Sequence, residues 1–241
     1  MTRLLRRRWL PICAGLSALA AACGSNGTSS ISGGSQVPPP ISPIQGEVDA
    51  PNGAIAALTP WERWLNDVSL LPSAVALQNV ESIDAGQPVV LDIVDAADAD
   101  NGRIDQPRAV AQAVTDGAGH YEIVDKIADH IDDTCRLMVV VGNEAAGTQM
   151  RAFVSSHQAN ISPVTEGVVR VILDRLAAAP PVHLCDFEPA AIEQITELAS
   201  ALTADVSGDS VLQMNANVYR VLHGSGSIRD ALTNATGVPQ S

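Results

Sequence analysis

The chain has 241 residues and a formal net charge of −13, with 27 acidic against 14 basic side chains. A polyanion of this kind is repelled by nucleic acid and by anionic headgroups, which removes nucleic acid from the candidate partners and leaves basic partners and divalent cations. Aromatic residues amount to 3%, too few rings for a broad stacking platform for sugars or bases.

The first stretch carries Arg3, Arg6, Arg7 and Arg8, an apolar run from Trp9 to Leu19, and then Ala20-Ala21-Ala22-Cys23. A basic start, a short apolar run and small residues before the cut are the parts of a secretion signal. The run is shorter than the ~20 residues that a membrane span needs. It is therefore expected to direct export and to be removed as residues 1–22. The last four residues resemble the lipobox of bacterial lipoproteins, with the usual Leu one place early at Leu19. That resemblance implies acylation of Cys23 and a bilayer as partner. The residues also permit an ordinary peptidase site of A-x-A type at Ala20 and Ala22. Arg6-Arg7-Arg8-Trp9-Leu10 is similar to a twin-arginine signal, with Trp in place of the usual Phe.

After the cysteine, Gly24 to Gln36 is rich in Gly, Ser, Asn and Thr, and Val37-Pro38-Pro39-Pro40 follows. Such a composition forms a flexible tether with a stiffer proline segment, here residues 23–45. Each buried methylene contributes about 0.8 kcal/mol, so two or three acyl chains on Cys23 would hold the protein on a membrane. In lipoproteins of this type an Asp after the cysteine marks inner-membrane retention. Gly24 therefore implies outer-membrane sorting within the cell envelope. The signal carries four arginines and no acid, so the remainder stands at −17.

With Cys13 leaving in the signal and Cys23 taking lipid, Cys135 and Cys185 are the only possible pair. An oxidising compartment predicts a disulfide between them, the alternative being two unrelated buried thiols.

Residues 46–160 read as an antiparallel sandwich of short strands. Candidates begin at Gly46-Glu47-Val48, Gly53-Ala54-Ile55, Val89-Val90-Leu91, His120-Tyr121-Glu122, Cys135-Arg136-Leu137 and Gln149-Met150-Arg151. Trp61, Trp64, Leu65 and Val68 are spaced for a short amphipathic helix that plugs a core. The stretch Thr115-Asp116-Gly117-Ala118-Gly119-His120-Tyr121 resembles the turn motif of carboxypeptidase regulatory-like domains, which have a transthyretin-like fold. Gly46-Glu47-Val48 with Gly53-Ala54-Ile55 is similar to that family's opening strand pair, and Cys135-Arg136-Leu137-Met138-Val139-Val140 to a later strand. Segments 58–86 and 95–112 then look like insertions. The resemblance implies a scaffold or binding module, and no reaction follows from the fold.

From residue 161 to 241 the period becomes helical, giving a small C-terminal helical module and an α+β chain. Ser162-Pro163 forms an N-cap and first helical residue, Glu188-Pro189 opens a second helix, and a third starts near Asp209. Ser227 with Asp230 resembles a capping box for a last helix. These amphipathic faces must bury against each other or against the sandwich.

For chemistry, Asp95, Asp98, Asp100, Asn101 and Asp105 are candidate calcium ligands, because calcium takes six to eight closely spaced oxygens and needs a glycine at the sharp turn. With Gly102 sixth, an EF-hand register places Ala97, Ala99 and Asn101 at ligand positions. A non-standard calcium loop and a solvated acidic loop both remain open. Asp125, Asp129, His130, Asp132 and Asp133 form a second acidic cluster. The five histidines show no zinc spacing, and Ser and His at His223-Gly224-Ser225 read as helix caps. The expectation is a lipid-anchored, non-enzymatic binding or scaffolding module with an envelope protein or glycan as partner. A calcium-dependent adhesin and an accessory domain of an envelope hydrolase are the alternatives.

Overall fold

The computed structural model describes residues 42–53, 77, 79–105, 107–131, 135–179 and 182–238. Residues 1–22, Cys23, most of the 23–45 tether, Ala54 to Ala57 of the strand read from Gly53, Trp61, Trp64, Asp132 and Asp133 lie outside them. The described strands are β1 (Ile44–Glu47), β2 (Asp49–Pro51), β3 (Val80–Ser82), β4 (Pro88–Ile93), β5 (Arg108–Val114), β6 (His120–Ile123), β7 (Leu137–Val141) and β8 (Met150–Phe153). The described helices are α1 (Ala96–Asp100), α2 (Pro163–Ala178), α3 (Pro189–Leu202), α4 (Val211–Gly224) and α5 (Gly226–Thr236). The chain is α+β, with antiparallel sheets, none of which closes among the described residues.

The run Leu-Met-Val-Val-Val in β7 is buried at every position, the pattern of a strand covered on both faces. It lies inside a four-stranded antiparallel sheet of order β5-β4-β7-β8. Leu137, Val139 and Val141 point with Val89 and Leu91 of β4 into one core, whereas Met138 and Val140 point with Phe153 of β8 into another. Period-two alternation thus assigns each residue to one of two layers.

On the first side lies a thinner layer. β1 pairs antiparallel with β6, and β2 with β3. Segment 157–161 also runs parallel to β1: Gln45 N donates to His157 O at 2.8 Å, and Ile161 N to Glu47 O at 2.8 Å. Ile44, Val48, Ala50, Tyr121 and Ile123 fill the space between the layers.

On the second side lie the helices. Ser162 caps α2 in a capping box, with Thr165 Oγ1 accepting from Ser162 N at 2.9 Å. α2 buries residues around most of its circumference, including Val168, Val169, Ile172 and Leu176, as befits a helix packed against the sheet and further helices. α4 approaches it closely at Gly167, where an added Cβ would lie 2.7 Å from Val218 Cγ1. The helices therefore share a core with Met138, Val140 and Phe153 of the sheet.

One buried carboxylate ties the sheet to α2. Glu166 accepts from Arg151 of β8 and from Arg170 one turn along α2, the latter at 2.7 Å. Burial pulls the Arg151 guanidinium down, but the Glu166 carboxylate outweighs this and holds it above its ordinary value.

Two elements were not placed by the sequence reading. Segment 95–112 supplies α1 and most of β5, which pairs with β4 along its length. The last helix is capped by Ser225, whose Oγ accepts from Ile228 N at 3.4 Å, two residues before the expected Ser227. Among the described residues no helix is long and apolar enough to cross a membrane.

Candidate functional site

Alternation in β1 and β6 sends one set of side chains inward and the other to solvent. Ile44 and Gly46 face the core with Tyr121 and Ile123, while Gln45 is exposed with His120 and Glu122 and Glu47 is half-buried. The register sets Gln45 opposite Glu122 and Glu47 opposite His120. Segment 157–161 adds Gln158, bridged to Gln45, and Asn160, whose Oδ1 accepts from Glu47 N at 3.0 Å and Gln158 Nε2 at 2.9 Å. The result is a polar face across three strands. With Gln112 and Val114 of β5 it bounds a groove of about 850 Å³.

The Thr-Asp-Gly stretch builds one end of this face. Thr115 is buried, its hydroxyl donating to Asp84 O at 2.8 Å and accepting from Gln87 N at 3.1 Å. Asp116 Oδ1 accepts from Ala118 N at 2.8 Å and His120 N at 2.9 Å, and these amides hold its carboxyl below the usual carboxylate range. Gly119 has φ +75° and sits against Val48 O, 2.9 Å from where a Cβ would be, a position only glycine fills without strain. His120 then lies between two carboxylates, with Nε2 2.6 Å from Glu47 Oε1 and Nδ1 3.6 Å from Asp116 Oδ2.

A crossing beneath the face ties β6 to segment 157–161. Tyr121 is buried and its hydroxyl donates to Ala159 O; burial pushes the phenol up from its ordinary value. Gly46 leaves room for that crossing, since a Cβ there would stand 2.2 Å from Ala159 O and 3.1 Å from the Tyr121 ring. Chemically the groove offers side-chain amides, which donate and accept, and carboxylates, which accept. That set suits hydroxyl or ammonium groups.

The structure does not gather the candidate calcium ligands. Asp95 is the N-cap of α1, accepting from Ala97 N at 2.8 Å. Asn101 Nδ2 donates to Ala97 O at 2.6 Å. Asp100 turns instead to a distant loop, where its Oδ2 lies 2.7 Å from His183 Nδ1 and its Oδ1 accepts from Leu184 N at 3.0 Å. Asp105 faces Arg103 at 3.9 Å, and Asp98 lies in the first turn of α1. Residues 96–100 of the acid run thus form a short capped helix, in which Asp95 serves the helix end and Asp100 serves His183. Among the described residues no three His, Cys, Asp or Glu side chains converge to hold a metal ion. In the second cluster, Asp125 caps a 3-10 turn through Ile127 N at 2.9 Å.

Cys135 and Cys185 form a disulfide with Cα atoms 5.2 Å apart, joining the entry to β7 with the loop before α3. Asp100 and His183 lie at the same junction. The histidines are otherwise dispersed, with His157 near Pro43 O at 3.2 Å and His223 against the Tyr219 ring.

Gln45, Glu122, Gln158 and Asn160 were not candidates from sequence. Their signal was the alternation of polar with apolar residues in Gln158-Ala159-Asn160-Ile161, which continues an outer strand. No family model matches the chain, and no curated protein or solved structure matches it either.

Proposed function

We propose that the protein is a lipid-anchored component of a bacterial cell envelope, acylated at Cys23, that acts as a non-enzymatic binding module for a hydroxyl-rich glycan. Its sheet portion is read as a transthyretin-like sandwich, because two strand layers face each other across one apolar core. The observation that carries the proposal is the polar face of Gln45, Glu47, Glu122, Gln158 and Asn160 along a groove of about 850 Å³. Amides and carboxylates set in a rigid sheet hydrogen-bond paired hydroxyls at low ordering cost. The net negative charge argues against acidic polysaccharides and for neutral or amino-bearing ones.

The test is titration of the soluble mature chain with neutral and amino-sugar oligosaccharides, followed by amide chemical shifts. The expected result is saturable shifts at Gln45, Glu122 and Gln158, weakened by Glu122→Ala with unchanged thermal unfolding. Absence of shifts on this face, or equal binding by the variant, overturns it.

A further inference from the structure

A second cavity lies in the helical layer, away from the polar face. It has a volume of about 230 Å³ and is bounded by the C-terminal half of α2, the end of α4 and the start of α5. Val171, Ala178, Leu222, Ile228 and Leu232 form its apolar wall. Two guanidiniums, Arg175 and Arg229, also line it.

Arg175 is the unusual member. It is 2% exposed, and its Nη2 donates to Thr236 Oγ1 at 3.4 Å and to Val238 O. Its buried Nε has no partner among the described residues. No carboxylate among the described residues forms an ion pair with it. Burying a guanidinium without an opposite charge is costly, and buried charges are ordinarily paired. Among the described residues that line the cavity the one carboxylate is Asp174, and it already accepts from the Tyr219 hydroxyl at 2.7 Å. With two arginines against one aspartate, the described lining carries net positive charge.

Backbone geometry adds to this. Ser225 caps α5, an eleven-residue helix, and lines the cavity, so the positive end of that helix opens beside Arg229. A helix N-terminus together with guanidiniums favours an anion. The rest of the wall is aliphatic, which favours a hydrocarbon tail. A 150 Å³ apolar cavity holds a ring of about six carbons, so this one admits a short chain with one charged head.

We propose that this cavity is a binding site for a small aliphatic monocarboxylate, its carboxylate between Arg175, Arg229 and the α5 N-terminus and its tail against Leu222, Ile228 and Leu232. The site is separate from the polar face, and either can fail without the other.

The test uses hexanoate as probe, with hexanol, hexylamine and inorganic phosphate as comparisons, on the mature full chain by calorimetry and amide shifts. Hexanoate is expected to bind saturably, with shifts at Ser225, Ile228 and Arg229. Hexanol and hexylamine are expected to bind at least about tenfold more weakly. Arg229→Ala, an exposed position, should leave unfolding unchanged and weaken hexanoate about tenfold, and Ala178→Phe should abolish binding by filling the cavity. Equal binding of hexanol overturns the proposal, as does binding of phosphate without hexanoate, no saturable hexanoate signal, or hexanoate shifts unaffected by both variants.

Discussion

Arg151 and Glu166 are joined by two parallel hydrogen bonds, Nε to Oε2 at 2.9 Å and Nη2 to Oε1 at 2.8 Å, with the carboxylate side chain 1% exposed. The pair bridges β8 and α2, the contact on which sheet and helices meet. Bidentate geometry gives it direction as well as charge. Glu166→Ala leaves Arg151 buried without its partner and is expected to cost about 3–5 kcal/mol. The double replacement Arg151→Met with Glu166→Leu is expected to be close to neutral by the same reasoning. Chemical denaturation of the single and double variants measures both.

The Cys135–Cys185 disulfide closes a 50-residue separation. Constraint of an unfolded loop of that size is worth about 4 kcal/mol. The double Cys→Ser variant should lose that much in urea unfolding. The wild type under reducing conditions should fall to the same midpoint.

His183 pairs with Asp100, and that hydrogen bond, followed by the charge of the same carboxylate, raises the imidazole above its ordinary value. A raised folded pKa means the pair stabilises fully below the unfolded value of about 6.5 and loses its contribution as pH rises through the folded value. Wild type and His183→Gln should therefore differ in melting temperature at pH about 6 and converge at pH about 9. A difference that grows with pH contradicts the assignment.

Gly46→Ala places a methyl group against the Ala159 carbonyl and the Tyr121 ring. Overpacking against backbone is expected to cost about 3 kcal/mol or to break the β1 ladder with segment 157–161. Amide exchange should accelerate at Ala159 and Ile161 well before it does in α2.

For the anchor, expression in a bacterium with an outer membrane should yield a chain beginning at Cys23 with two or three acyl groups by mass spectrometry. Cys23→Ser should release it into the soluble fraction. An unacylated wild-type chain rejects the anchor.

How much could be read in advance depended on the range of the interaction. Ser162-Pro163 and Glu188-Pro189 were legible as helix starts, because capping acts within one turn and the next residues already carry the pattern. β7 was legible as an apolar run. β5 was not, since Arg-Ala-Val-Ala-Gln-Ala-Val has little β propensity and becomes a strand by pairing with β4. The acid run from Asp95 was read by composition as a calcium or solvated loop. Two carboxylates in fact have local and distant uses, Asp95 as a cap and Asp100 as the partner of His183, which no local pattern signals.

The sequence by itself determined the starts of the helices at Pro163 and Pro189, the apolar run of the central strand, the α+β class and Cys135 with Cys185 as a candidate pair, all from short-range patterns or from counting. Tertiary structure alone decided that Gln158 and Asn160 complete a polar face begun by Gln45 and Glu47. It alone decided that Arg175 is buried beside a cavity with an aliphatic wall. The reason is physical: a side chain's partner across a layer is chosen by register and packing over tens of residues, and local propensity carries no term for it.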